Sequence, residues 1–131
     1  MRFVFAAIAL LTIALSSPLR AEPSAEAVRA EIHSLLDRLE SSGCQFNRNG
    51  TWHTAPEAKA HLLTKLDYLD KRATVQSTEQ FIDLAASKSS LSGTPYQVRC
   101  GNTAPVESKL WLTKELQAVR SPGKTKLSGA R

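Results

Sequence analysis

His53, Glu57 and His61, spaced by four, form the most suggestive chemical pattern in the chain. On a helix Glu57 and His61 would sit one turn apart on a shared face, with His53 just ahead of the first turn. Imidazole and carboxylate in that relation can hold a divalent metal or pass a proton between them. The pattern is not the two-histidine HExxH arrangement of zinc hydrolases, and no third firm ligand stands nearby. Thr54-Ala-Pro-Glu57 also has the form of a capping box, which would occupy Glu57 at the start of a helix. Capping and hydrogen bonding therefore account for the cluster, and a small metal-dependent or hydrolytic enzyme using these three residues is the alternative. His33 lies just off an apolar helical stripe and is expected at the surface. Ser89, Ser90 and Ser92 belong to a polar stretch read as a flexible loop, and none occupies a G-x-S-x-G elbow. Neither a glycine-rich phosphate loop nor a dinucleotide fingerprint nor a calcium loop is present. No catalytic residue is assigned, and no cofactor is expected.

Cys44 and Cys100 are the only cysteines. In an oxidising compartment they have one intramolecular partner each, and a reactive or metal-binding pair would need reduced thiols and further ligands. A structural disulfide is the expectation.

The compartment follows from the N-terminus. Arg2 precedes an apolar run from Phe3 to Leu15, too short to span a bilayer, which Ser16-Ser-Pro18 interrupts before a small residue at Ala21. This is the pattern of a cleavable signal peptide over residues 1–21. The expectations are a periplasmic or extracellular product with no stable membrane insertion after cleavage, and no nucleic acid as partner. The net charge of +5 includes Arg2 and Arg20, and four more cations, Arg120, Lys124, Lys126 and Arg131, fall at the C-terminus. The segment 22–119 is then nearly neutral and reads as one domain, while 120–131, rich in Gly, Ser and Lys, reads as a flexible basic tail.

Within the domain, Ser24 caps a pattern of Val28, Ile32, Leu35, Leu36 and Leu39 at helical spacing, which Gly43 ends. Asn49-Gly50 is a two-residue hairpin signal, since both central residues of a type I′ turn take positive φ. It sets Phe46 opposite His53 and Asn47 opposite Trp52. A second helix follows Thr54, with Ala58, Leu62, Leu66, Leu69 and Ala73 as its stripe. Ser77-Thr-Glu-Gln80 caps a shorter third one bearing Phe81, Ile82, Leu84 and Ala85. Tyr96, Val98 and Cys100 alternate as on a strand. A fourth helix is expected from about Ala104 to Val119, with Val106, Leu110, Trp111, Leu112, Leu116 and Val119 as apolar positions. The fold class is α+β, mainly α: about four helices with a small disulfide-linked hairpin or sheet, or all-α if the short strands do not pair.

Four ordered motifs, Phe46-Asn-Arg-Asn-Gly-Thr-Trp-His53, Glu57-Ala-x-x-His61-Leu-x-x-Lys65, Thr78-Glu-Gln-Phe-Ile-Asp83 and Ser90-x-Ser-Gly-x-Pro-Tyr-x-Val98, resemble the YfeK-like family of small exported bacterial proteins. The resemblance covers most of the chain after residue 21. It implies a periplasmic domain of unknown function and brings no catalytic residues; the disulfide rests on the compartment argument alone.

The functional expectation is a binding or accessory module of the bacterial cell envelope, with an envelope protein or wall component as partner. Its candidate surface is the hairpin, through Arg48, Asn49, Gly50 and Trp52, together with Tyr96; arginine and aromatic residues dominate interface energetics when exposed. Packing of Trp52 and Tyr96 over the disulfide is the competing expectation. An inhibitor of a wall-degrading enzyme is a further alternative, resting on size, compartment and the polar loop.

Overall fold

A computed structural model of the protein describes residues 23–73 and 75–122. The expected signal peptide and most of the expected tail lie outside these residues. Among those described, the chain forms α1 (Ala25–Ser41), β1 (Gln45–Arg48), β2 (Thr51–His53), α2 (Ala55–Arg72), α3 (Thr78–Ala85), β3 (Gln97–Arg99), β4 (Val106–Glu107) and α4 (Ser108–Arg120). The class is α+β, mainly α.

Each of the first three helices starts where a hydroxyl can accept a free backbone N–H. Ser24 Oγ accepts from Ala27, Thr54 Oγ1 from Glu57 and Ser77 Oγ from Gln80. The periodicity then decides burial: Val28, Ile32, Leu35, Leu36 and Leu39 of α1 are all buried. They meet Leu62 and Leu66 of α2, Phe81 and Ile82 of α3, and Leu112 and Leu116 of α4 in one core. At one end of this core Arg120 is paired with Glu31 and Glu79, and Thr78 Oγ1 donates to Glu31 at 2.6 Å, so that α1, α3 and α4 are tied together. The hydrogen bond from Arg120 holds the Glu31 carboxyl below the usual carboxylate range. Arg120, read from sequence as the first residue of a tail, instead closes α4.

The sheet is antiparallel with strand order β2-β1-β3-β4. Asn49 and Gly50 take φ of 51° and 84°, as the two-residue turn demands, and the pairs Phe46–His53 and Asn47–Trp52 form. After β2 the chain leaves the sheet through residues 54–96 and returns to it in β3, where Val98 meets Phe46 of β1. The Cys44–Cys100 disulfide lies one residue beyond the Gln45–Arg99 pair and closes the end of that ladder, its Cα atoms 4.3 Å apart. Phe46 and Val98 face the helices and are buried, whereas Gln45, Gln97 and Glu107 on the other side are exposed. Phe46 also packs edge-on against Trp111 of α4 at 5.5 Å.

The fourth helix departs from expectation. Residues 106 and 107 are a strand, and α4 begins at Ser108, whose N–H donates to Tyr96 O at 2.8 Å rather than to a capping side chain. Val106 and Leu110, both assigned to the apolar stripe, are 44% and 65% exposed, and Leu84 of α3 is likewise exposed. Ala73 ends the α2 pattern on the surface as its C-cap.

Candidate functional site

The hairpin tip, the first three turns of α2 and the 87–96 segment enclose a groove of about 500 Å³. Its position follows from side-chain alternation. Arg48 and His53 share the inner face of the sheet with Phe46, so both are directed towards α2, on which His61 and Lys65 lie one turn apart. The third wall is the loop after α3. Ser87 Oγ donates to Ile82 O, Tyr96 N donates to Ser87 O, and Ser89 N donates to Thr94 O, which folds the loop onto itself. It is a hydrogen-bonded unit, in contrast to the flexible segment expected.

Ser89 is 4% exposed, and its Oγ accepts from Asn49 Nδ2 and from the N–H groups of Leu91 and Ser92 at 3.3 Å. Ser92 Oγ donates to Asn49 Oδ1 at 2.8 Å. The hairpin tip is thereby fastened to the loop. Among the described residues the Ser89 hydroxyl proton has no acceptor.

The three residues singled out by their spacing are not joined by one set of hydrogen bonds, although His53 and His61 line the same groove. His53 Nδ1 meets the Glu57 carboxylate at 3.1 Å, so the capping box forms only in its Thr54 half. His61 is engaged elsewhere: Arg48 Nη1 lies 2.6 Å from its Nδ1 and 3.0 Å from its Nε2, and donates to whichever ring nitrogen is unprotonated. No group of three His, Cys, Asp or Glu side chains that could hold a metal ion occurs among the described residues. His33 is exposed.

The expected projecting patch also divides. Arg48 and Tyr96 line the groove, and Tyr96 is buried. Asn49 and Gly50 make the turn that meets the loop. Trp52 points to the other face of the sheet, where the Arg99 guanidinium lies 4.1 Å from its ring centre and Gln45 holds Arg99 from the side. Neither Trp52 nor Tyr96 covers the disulfide; Trp111 lines the surface hollow that contains it. Lys65 and Ser89 were not recognised from sequence as residues of this groove.

The cations of the groove have neutral acceptors but no counter-charge. Arg29, Arg38, Lys59, Lys109 and Arg120 each meet a carboxylate, whereas among the described residues Lys71, Arg72, Lys88, Arg99 and Lys114, outside the groove, do not. Arg48 and Lys65, both half-buried, meet none among the described residues, and neither Asp nor Glu lines the groove. Lys65 Nζ donates to Ala85 O at 3.0 Å and to Tyr96 Oη at 2.8 Å, leaving one N–H. Arg48 uses Nη1 alone, leaving the Nε and Nη2 edge of its fork.

Residues 26–120 match the family of unknown function DUF5329. The chain belongs to this family. Uncharacterized protein YfeK of Salmonella typhimurium is 41% identical to it over 68 residues, which make up 51% of this chain and 55% of that relative. The matched region thus spans about half the length of the relative. No solved structure matches this DUF5329 chain. Its disulfide points to a compartment outside the reducing cytoplasm, and no helix among the described residues is long and apolar enough to cross a membrane.

In the DUF5329 domain, burial, reinforced by the charges of Arg48, Lys65 and His53, pushes the His61 imidazole from 6.5 down to about 4. Between these two values the unfolded chain binds more protons than the folded one, so stability is full above the unfolded value and falls as pH drops through the window. After discounting for partial exposure, about 1–2 kcal/mol should be lost between neutral pH and about pH 4.5. Denaturant midpoints measured across that range should show a smaller loss in His61→Gln. An unchanged loss in the variant would remove His61 as its source.

Proposed function

We propose that this domain is a binding module working in the periplasm or beyond it, and that it takes an anionic ligand in the groove between the hairpin, α2 and the 87–96 loop. The observation that carries the reading is the pair Arg48 and Lys65, half-buried in one groove without a carboxylate. Withdrawing a cation from water is unfavourable unless an opposite charge or acceptor replaces the lost solvation, and two cations facing one space repel each other. An anion there offsets both effects. The free N–H groups of Arg48 and Lys65 and the Ser89 hydroxyl are all donors, the set that an anion's oxygen atoms require. The compartment part of the reading is supported by the disulfide and by the signal-like N-terminus.

Neither the enzyme nor the inhibitor alternative draws on a comparable observation. An envelope protein or wall component carrying exposed acidic groups remains the natural source of the ligand. To test the anion site, the purified protein is titrated with inorganic phosphate and with acetylated dipeptides, and binding is followed through amide chemical shifts. Arg48→Ala and Lys65→Ala should each weaken the tightest of these anions by about 10- to 100-fold, the worth of a charge-assisted hydrogen bond. Shifts centred outside the groove, or affinities unmoved by both substitutions, would refute the assignment.

A further inference from the structure

Resting on that anion-binding reading, we propose that the ligand's anionic group is the C-terminal carboxylate of a peptide ending in alanine. The groove adjoins a recess of about 40 Å³, and the two share Arg48, His53, His61 and Tyr96 in their linings. Phe46, Ala58, Leu62 and Ala86 supply the apolar wall of the recess, with Asn47 and Ser108 completing it. Its volume decides what enters. Roughly 10–15 Å³ suffices for one water molecule, and about 150 Å³ holds benzene in an apolar cavity. A space of about 40 Å³ therefore takes a methyl group or a short branch and refuses an aromatic ring.

Arginine binds a carboxylate through two parallel N–H groups, and the Nε and Nη2 edge of Arg48 is the one its bond to His61 leaves open. Neutral His61, as acceptor, positions that fork. The substituent on the carbon next to a carboxylate lies within a few bond lengths of its oxygen atoms, so a methyl group there reaches the recess that begins at Arg48. A free amino acid would bring an ammonium group equally close to Arg48 and Lys65 and be repelled. An N-acylated residue brings a neutral amide instead, and the groove of about 500 Å³ has room for the residue before it.

The probes are N-acetyl-Ala-Ala, N-acetyl-Ala-Gly, N-acetyl-Ala-Phe, N-acetyl-Ala-Ala amide, free alanine and inorganic phosphate, titrated into the purified protein at neutral pH. The alanine-ended acid should bind about fourfold tighter than the glycine-ended one, the worth of one buried methyl group. The amide and free alanine, which lose the charge match, should each be at least about tenfold weaker, and the phenylalanine-ended acid, whose ring the recess refuses, should bind no better than the glycine-ended one. Ala58→Leu narrows the recess and should abolish the difference between the alanine-ended and glycine-ended peptides on that variant. The ligand series on the unaltered protein stands even if that variant misfolds. Equal affinity for the three acid ends, or tighter binding of phosphate, overturns the alanine assignment; if Arg48→Ala still abolishes that binding, the anion site survives it. Failure of every anion to bind overturns both.

Discussion

Phe81→Ala should lower the stability of the protein by about 3–5 kcal/mol, the cost of truncating a fully buried aromatic side chain and leaving a cavity. Phe81 is 0% exposed and is the largest completely buried side chain among the described residues. Its helix, α3, has 8 residues, too few to persist in isolation, so α3 is held by its cap at Ser77 and by the burial of Phe81, Ile82 and Ala85. A domain of this size has a total of about 5–15 kcal/mol, so the substitution removes a large share. The damage should extend to the groove, because Ser87 and Lys65 are bonded to Ile82 O and Ala85 O at the end of the same helix. Denaturant titration followed by far-ultraviolet circular dichroism gives the energy, and amide shifts of Ser89 and Tyr96 report on the groove. A loss below about 1 kcal/mol would mean that the site collapses around the gap or that α3 is not anchored through Phe81.

Reduction of Cys44–Cys100 should cost about 2–4 kcal/mol. The cysteines are 56 positions apart, and freeing a loop of that length restores unfolded-chain entropy worth roughly 4 kcal/mol, from which any structure retained by the reduced unfolded chain is subtracted. The loss should be uneven. The bridge ends the β1–β3 ladder and meets the core through Cys44 and Cys100, whereas most residues of the core cluster belong to the four helices. Helical circular dichroism should therefore survive reduction at low denaturant, while exchange of the Gln45 to Asn47 and Gln97 to Arg99 amides quickens. Equal midpoints with and without reductant would contradict the entropic account, and Cys44→Ala with Cys100→Ala checks that the reductant acts at this bond.

Local rules made the helices legible. The five buried positions of α1 can be read from a period of 3.6, and Asn49-Gly50 sets the register of β1 against β2 because few residue pairs accept two positive φ values. β4 was not legible: two residues are too few to show alternation, and Val106 fits a helical stripe as well as a strand until its pairing with Val98 decides the matter. The groove was half legible. Arg48 and His61 stood out separately, one as an interface residue and the other as a metal ligand, and only the inward direction of β1 joins them. Lys65 follows His61 by one turn, a spacing visible in sequence, but its lack of a counter-charge is not. Arg120 finds Glu31 from 89 positions away and Glu79 from 41, so pairing among cations is a property of the folded chain.

The margins of the sheet have a consequence for encounters between copies of the chain. β2 has three residues and β4 two, so each margin presents few unpaired backbone groups. Pro105 removes a donor immediately before β4, and Glu107 sets a charge on it. Shortness at both borders, with the charge and the preceding proline at β4, discourages the strand-to-strand recruitment that leads to aggregation. Two molecules that meet in a crowded compartment therefore find little backbone at either border to use as a template.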